Sequence, residues 1–121
     1  MKQYQITENN ITYDISKYPN GNKYWRLNNK YHRENGPAIE YANGNKSWFK
    51  NGLFHRLDGP AIEYASGLQE WYKDGRRHRE DGPAVTSAIG YRKEYWYNGK
   101  RLYDINSDKD LTRYVKLLSI S

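Results

Sequence analysis

The chain has 121 residues, a length that fits one domain, and no cysteine, which removes disulfides, thiol catalysis and cysteine-ligated zinc. Hydrophobic residues make up 36% of it and aromatic residues 16%, a balance that excludes a disordered polymer and favours a thin sheet over a deep core. The formal charge of +6 raises the weight of polyanionic partners without defining one.

In chain order, Tyr4, Ile6, Ile11, Tyr13 and Ile15 alternate around Glu8-Asn9-Asn10, and residues 1–19 read as a capping hairpin. Residues 20–103 then carry a repeat. His32-Arg33-Glu34-Asn35-Gly36-Pro37-Ala38 returns as His55-Arg56-Leu57-Asp58-Gly59-Pro60-Ala61 and as His78-Arg79-Glu80-Asp81-Gly82-Pro83-Ala84, in steps of 23 residues. Trp25, Trp48 and Trp71 keep the same step. Asn28-Asn29, Asn51-Gly52, Asp74-Gly75 and Asn98-Gly99 supply the positive φ angles of two-residue hairpin turns. Asn43-Gly44 and Ser66-Gly67 mark a second set of turns, and the Gly-Pro pairs at 36–37, 59–60 and 82–83 interrupt the strands.

A two-residue turn at Asn51-Gly52 pairs Phe49 with Phe54 and Trp48 with His55. Reading Asn43-Gly44 and Ser66-Gly67 in the same way sets Ile39 opposite Trp48 and Ile62 opposite Trp71. One face then holds Ile39, Trp48, His55, Ile62, Trp71, His78 and Val85 as packing. The other is polar with interspersed aromatics. In the fourth unit one residue is inserted within 88–91, Tyr95 takes the tryptophan position and Leu102 the histidine position, which suggests that this position asks for bulk. Residues 104–121 form a helical cap: Ser107 through Asp110 has capping-box spacing, and Leu111, Tyr114, Val115 and Leu118 make one apolar face, expected to cover an open sheet edge.

The phrases Trp48-Phe49-Lys50-Asn51-Gly52 and Trp71-Tyr72-Lys73-Asp74-Gly75, with their His-Arg-x-Asn/Asp-Gly-Pro-Ala extension, resemble the MORN repeat variant family, in a subtype seen in phage and large-virus proteins. The resemblance implies an all-β, elongated antiparallel meander of about four hairpins in a single sheet. It implies scaffolding or protein binding, and in some members lipid association.

The histidines stand at equal steps along the array, roughly 10 Å apart at ordinary strand spacing, too far for one metal ion. Trp25, His32, Trp48, His55, Trp71 and His78 are therefore read as structural, as are Gly36, Gly59, Gly82, Pro37, Pro60 and Pro83. Glu40 and Glu63 are expected to pair with Arg56 and Arg79, and Asp58 and Asp81 to cap turns. No phosphate loop, nucleophile elbow or metal-ligand spacing occurs, so a non-enzyme without cofactor or metal is expected. The run Arg76-Arg77-His78-Arg79, with Arg92 and Lys93 one hairpin later, is the strongest functional signal. Its arginines Arg76, Arg77 and Arg79, with Arg92, Lys93, Phe49, Phe54, Arg56, Tyr72, Tyr91 and Trp96, form the candidate binding set.

The expected function is protein–protein binding, in the phage-like reading as a small anti-CRISPR-like inhibitor of a host defence system. Nucleic-acid binding through the basic, aromatic-bearing face is the second reading, and association with anionic membrane surfaces ranks last. The amino terminus has no apolar leader and no run is long enough to span a membrane, so a cytoplasmic location is expected, in the host if the source is viral. Monomer and homodimer are both compatible with the pattern.

Overall fold

A computed structural model describes residues 1–89 and 91–120. Asn9 and Asn10 both take positive φ (47° and 67°), the type I′ geometry that folds β1 (Lys2–Glu8) onto β2 (Ile11–Lys17) without splaying the strands. β3 (Lys23–Leu27) follows, and Asn28-Asn29 returns the chain as β4 (Lys30–Tyr31).

Each later unit alternates between two rows. The sheet row receives β5 (Ile39–Glu40), β6 (Lys46–Ser47), β9 (Ile62–Glu63), β10 (Gln69–Glu70), β13 (Val85–Thr86) and β14 (Lys93–Glu94). These join β1 to β4 in one ten-stranded antiparallel meander. The second row is made of hairpins: β7 (Phe49–Lys50) with β8 (Leu53–Phe54), β11 (Tyr72–Lys73) with β12 (Arg76–Arg77), and β15 (Trp96–Tyr97) with β16 (Lys100–Arg101). Successive hairpins are stitched by backbone bonds from Gly52 N–H to Tyr31 O, Gly75 N–H to Phe54 O and Gly99 N–H to Arg77 O.

The tryptophans stand at the corner between the rows. Trp48 donates its backbone N–H to Ala61 O on the sheet side and accepts from His55 N–H on the hairpin side; Trp71 does the same with Ala84 and His78. Ala38, Ala61 and Ala84, all fully buried, fill the inside of this corner.

The hairpins fall in the expected register, but the second set of turns does not. Tyr41 pairs with Asn45 and Tyr64 with Leu68, so three residues form each loop, ending on Gly44 (φ 95°) or Gly67 (φ 93°). This is a type I turn followed by a left-handed glycine. The longer loop slips the register by one residue, which exchanges faces. Ile39 opposes Ser47 rather than Trp48, and Ile62 opposes Glu70 rather than Trp71. Ile39, Ile62 and Val85 thus lie in one cross-sheet row with Ser47, Glu70 and Glu94, all buried, while the alanines accompany the tryptophans. In the fourth unit Ser87 pairs with Arg92, so four residues separate that pair where three separate Tyr64 from Leu68; of the expected insertion segment, Gly90 lies outside the described residues.

α1 (Asp108–Ser119) starts at Ser107, whose hydroxyl accepts from Asp110 N–H. It covers the last hairpin rather than a sheet edge: Leu111 is fully buried against Tyr95 and Leu102, with Tyr114 and Val115 beside them. Tyr95 donates to Asp108 Oδ1 at 2.8 Å, and burial together with that carboxylate pushes its phenol up to about 12. A second cluster, Tyr13, Ile15, Trp25 and Ala38, closes the other end.

Candidate functional site

The repeated phrase builds one device three times. The arginine guanidinium lies over the ring of the tryptophan two strands back: Arg33 over Trp25 at 3.6 Å, Arg56 over Trp48 at 3.9 Å and Arg79 over Trp71 at 3.9 Å. Each also donates from Nη1 to the proline carbonyl, of Pro37, Pro60 or Pro83. The glycine before that proline makes the room. A Cβ at Gly36, Gly59 or Gly82 would stand 2.9, 2.6 or 2.8 Å from the nearest guanidinium atom.

The carboxylates are placed differently from expectation. Glu40 and Glu63 approach Arg33 (4.0 Å) and Arg56 (3.8 Å), one unit earlier than the pairing with Arg56 and Arg79. Asp58 and Asp81 accept from Nε of Arg56 and Arg79, two residues before them. Bidentate bonds from Arg33 hold the Glu8 carboxyl below its usual range.

The histidines join unit to unit. Nδ1 of His32, His55 and His78 accepts the backbone N–H of Asn51, Asp74 and Asn98, the first turn residue of the next hairpin, at 2.9–3.0 Å. This acceptor role fixes the proton on Nε2, which in His32 faces Glu34 and in His78 faces Glu80. Burial lowers the His78 pKa despite Glu80. Leu102 occupies this position where no further hairpin follows, so the requirement elsewhere is for an acceptor and not for bulk.

The candidate binding residues separate onto three sides. Phe49, Phe54, Tyr72, Arg77 and Trp96 come together as a row: ring centroids lie 4.5 Å apart for Phe49–Phe54 and 5.2 Å for Phe54–Tyr72, and the Arg77 guanidinium is 5.9 Å from Tyr72 and 5.1 Å from Trp96. All five are half-buried. Arg77 is fixed by an ion pair to buried Glu70, which also accepts from the hydroxyls of Tyr64 and Tyr72. Burial would lower the Arg77 pKa, but Glu70 and Tyr72 reverse this and raise it; burial and Glu70 raise the Tyr72 phenol. Glu94 repeats the arrangement at the end of the row. It accepts from Arg92 Nε and Trp96 Nε1, and these bonds outweigh burial and lower its pKa. Glu70 opposes Ile62 and is buried, so the charge under the row becomes visible only with the slipped register.

Arg56 and Arg79 sit on the tryptophan side, engaged as described. Arg92 is held by Glu94, Lys93 is exposed beside it, and Tyr91, just before Arg92, is 90% exposed. Arg76 belongs to the third side, the exposed hairpin tips. There Lys30, Lys50, Lys73, Arg76 and Lys100 recur from unit to unit with no ion pair among the described residues.

Open hollows of about 780 and 360 Å³ lie between successive His-Arg loops, floored by Trp48 and Trp71. Their arginines and histidines are already engaged internally. Among the described residues no group of three or more metal-ligating side chains converges, and no helix is long and apolar enough to cross a membrane. No family model, curated protein or solved structure matches the chain.

Proposed function

We propose that the protein is a non-catalytic binding module that engages a protein partner through the row Phe49, Phe54, Tyr72, Arg77 and Trp96. The supporting observation is the immobilised Arg77 between two aromatic rings. Burying Glu70 costs desolvation energy that an apolar residue there would avoid. The return is a guanidinium and aromatic surface set in one geometry before a partner arrives, which lowers the ordering cost of association. Tyr, Trp and Arg are the residues that dominate interface energies. A small inhibitor that occludes a larger host enzyme, as the repeat resemblance suggests, needs a surface of this kind and no chemistry of its own.

The unpaired cations of the hairpin tips favour a second reading, nucleic-acid binding, carried by Lys50, Lys73 and Arg76 rather than by the Arg76–Arg79 run as a unit. Affinity capture from lysate with mass spectrometry separates the two. Under the first reading Phe54→Thr and Tyr72→Thr lose a stoichiometric protein that Lys73→Glu with Arg76→Glu retains. Under the second, the tip variant alone loses binding to DNA or RNA, with a steep salt dependence. Recovery of the same partner by all variants would refute the first reading.

A further inference from the structure

β1 ends the ten-stranded sheet and is hydrogen-bonded there to β2 alone. It has seven residues, where every strand from β4 onward has two. An open edge of this length presents backbone donors and acceptors to another strand. The turn decides which ones. The type I′ turn makes Glu8 and Ile11 a hydrogen-bonded pair, and such pairs alternate along an antiparallel ladder. Lys2, Tyr4, Ile6 and Glu8 therefore direct their backbone groups to β2, and Gln3, Gln5 and Thr7 direct theirs outward.

We propose that β1 is the interface of a homodimer, pairing antiparallel with β1 of a second copy about a twofold axis at Gln5. The outward backbone groups of Gln3, Gln5 and Thr7 then meet Thr7 of the partner subunit, Gln5 of the partner subunit and Gln3 of the partner subunit. On the other face the side chains match. Lys2 meets Glu8 of the partner subunit, and Tyr4 meets Ile6 of the partner subunit, an aromatic–β-branched pair at a close, non-hydrogen-bonded position. Every pair but the axial one at Gln5 occurs twice.

No neighbouring register does this. An axis between two residues turns the outward groups away from each other, one at Tyr4 opposes Lys2 to an isoleucine, and one at Ile6 opposes Tyr4 to a glutamate. An axis at Gln3 opposes Lys2 to a tyrosine, and one at Thr7 opposes Ile6 to a glutamate. Tyr4 is 39% exposed, while Ile6 packs on the cluster of Tyr13, Ile15, Trp25 and Ala38, so the pairing joins two terminal cores across the axis. Glu8, held by Arg33, is already fixed where the lysine arrives.

Sedimentation equilibrium over micromolar to near-millimolar concentration tests the proposal. A reversible monomer–dimer equilibrium is expected. Gln5→Pro removes an outward N–H and no backbone bond to β2, with the loss of the exposed side-chain bond from Gln5 Nε2 to Asp14 Oδ1, and Lys2→Glu opposes like charges; each is expected to weaken the dimer by roughly tenfold or more, Lys2→Glu without lowering the melting temperature of the dilute monomer. The register has its own readout in a protein without cysteine. Gln5→Cys is expected to cross-link to itself through a short bis-maleimide. Gln3→Cys, roughly 14 Å from its twin at strand rise, is not, although mixed with Thr7→Cys it is. A monomer at every concentration, a dimer indifferent to both edge variants, or self-cross-linking of Gln3→Cys would overturn the proposal.

Discussion

Thr86→Glu is expected to stabilise the protein. Trp25 Nε1 donates to Glu40 Oε2 at 3.3 Å, and Arg33 Nη1 stands 4.0 Å from the same oxygen. Thr86 occupies the corresponding place after Trp71, paired with Gln69 and Lys93 across the sheet. Trp71 Nε1 is buried and has no acceptor among the described residues. An unsatisfied buried donor costs about 1–3 kcal/mol. A glutamate supplies the acceptor and adds under about 1 kcal/mol from Arg79, whose side chain is 24% exposed. Ordering a longer side chain and losing threonine's strand preference each return up to about 1 kcal/mol. The net gain is about 1.5 kcal/mol, a rise of roughly 4–8 °C in Tm for a domain of this size. Thermal and urea unfolding measure it, with Thr86→Gln as the uncharged control. A Thr86→Glu protein no more stable than the parent would refute the idea that the corner requires an acceptor for each indole.

His78→Leu copies the residue that Leu102 already places at the corresponding position of the last unit. It is expected to fit sterically yet cost about 1–2 kcal/mol, because Asn98 N–H loses its acceptor; urea unfolding at pH 8 checks this. Since burial lowers the His78 pKa from its usual 6.5, the unfolded chain takes up the proton first, and stability falls as pH drops below that value. His78→Leu should flatten this part of the stability profile. Glu8 and Glu94 have lowered pKa values, so their contribution is full above 4.5 and is lost as pH falls further, a second decline that the leucine variant retains. Gly59→Ala should displace the Arg56 guanidinium from Trp48 and Pro60 O, at a cost of about 1–2 kcal/mol seen as a lower urea midpoint.

The hairpins are legible in the sequence because Asn-Gly and Asp-Gly specify one turn type, and the helix because Ser107 and the spacing of Leu111, Tyr114 and Val115 agree with each other. The register of the sheet row is not. Asn43-Gly44 serves a two-residue loop and the end of a three-residue loop equally well as a string of letters, and only the pairing of Tyr41 with Asn45 distinguishes them. That one-residue difference hides the buried carboxylates of Glu70 and Glu94. The arginines mislead for another reason. Composition shows Arg79 as charge, whereas a planar guanidinium on an indole behaves as packing.

The corner alanines, with no exposed surface at all, have consequences for how such a chain can change. Ala38, Ala61 and Ala84 leave no space for a larger side chain, and the neighbouring glycines are held by the guanidinium groups, so these letters are locked together. The residue after the arginine is under no such demand: it is Glu34, Leu57 or Glu80, exposed in every copy, and the tip residue is Lys30, Leu53, Arg76 or Lys100. Mutation can rewrite what the molecule shows to its surroundings, one letter per unit, while the framework spells the same word each time.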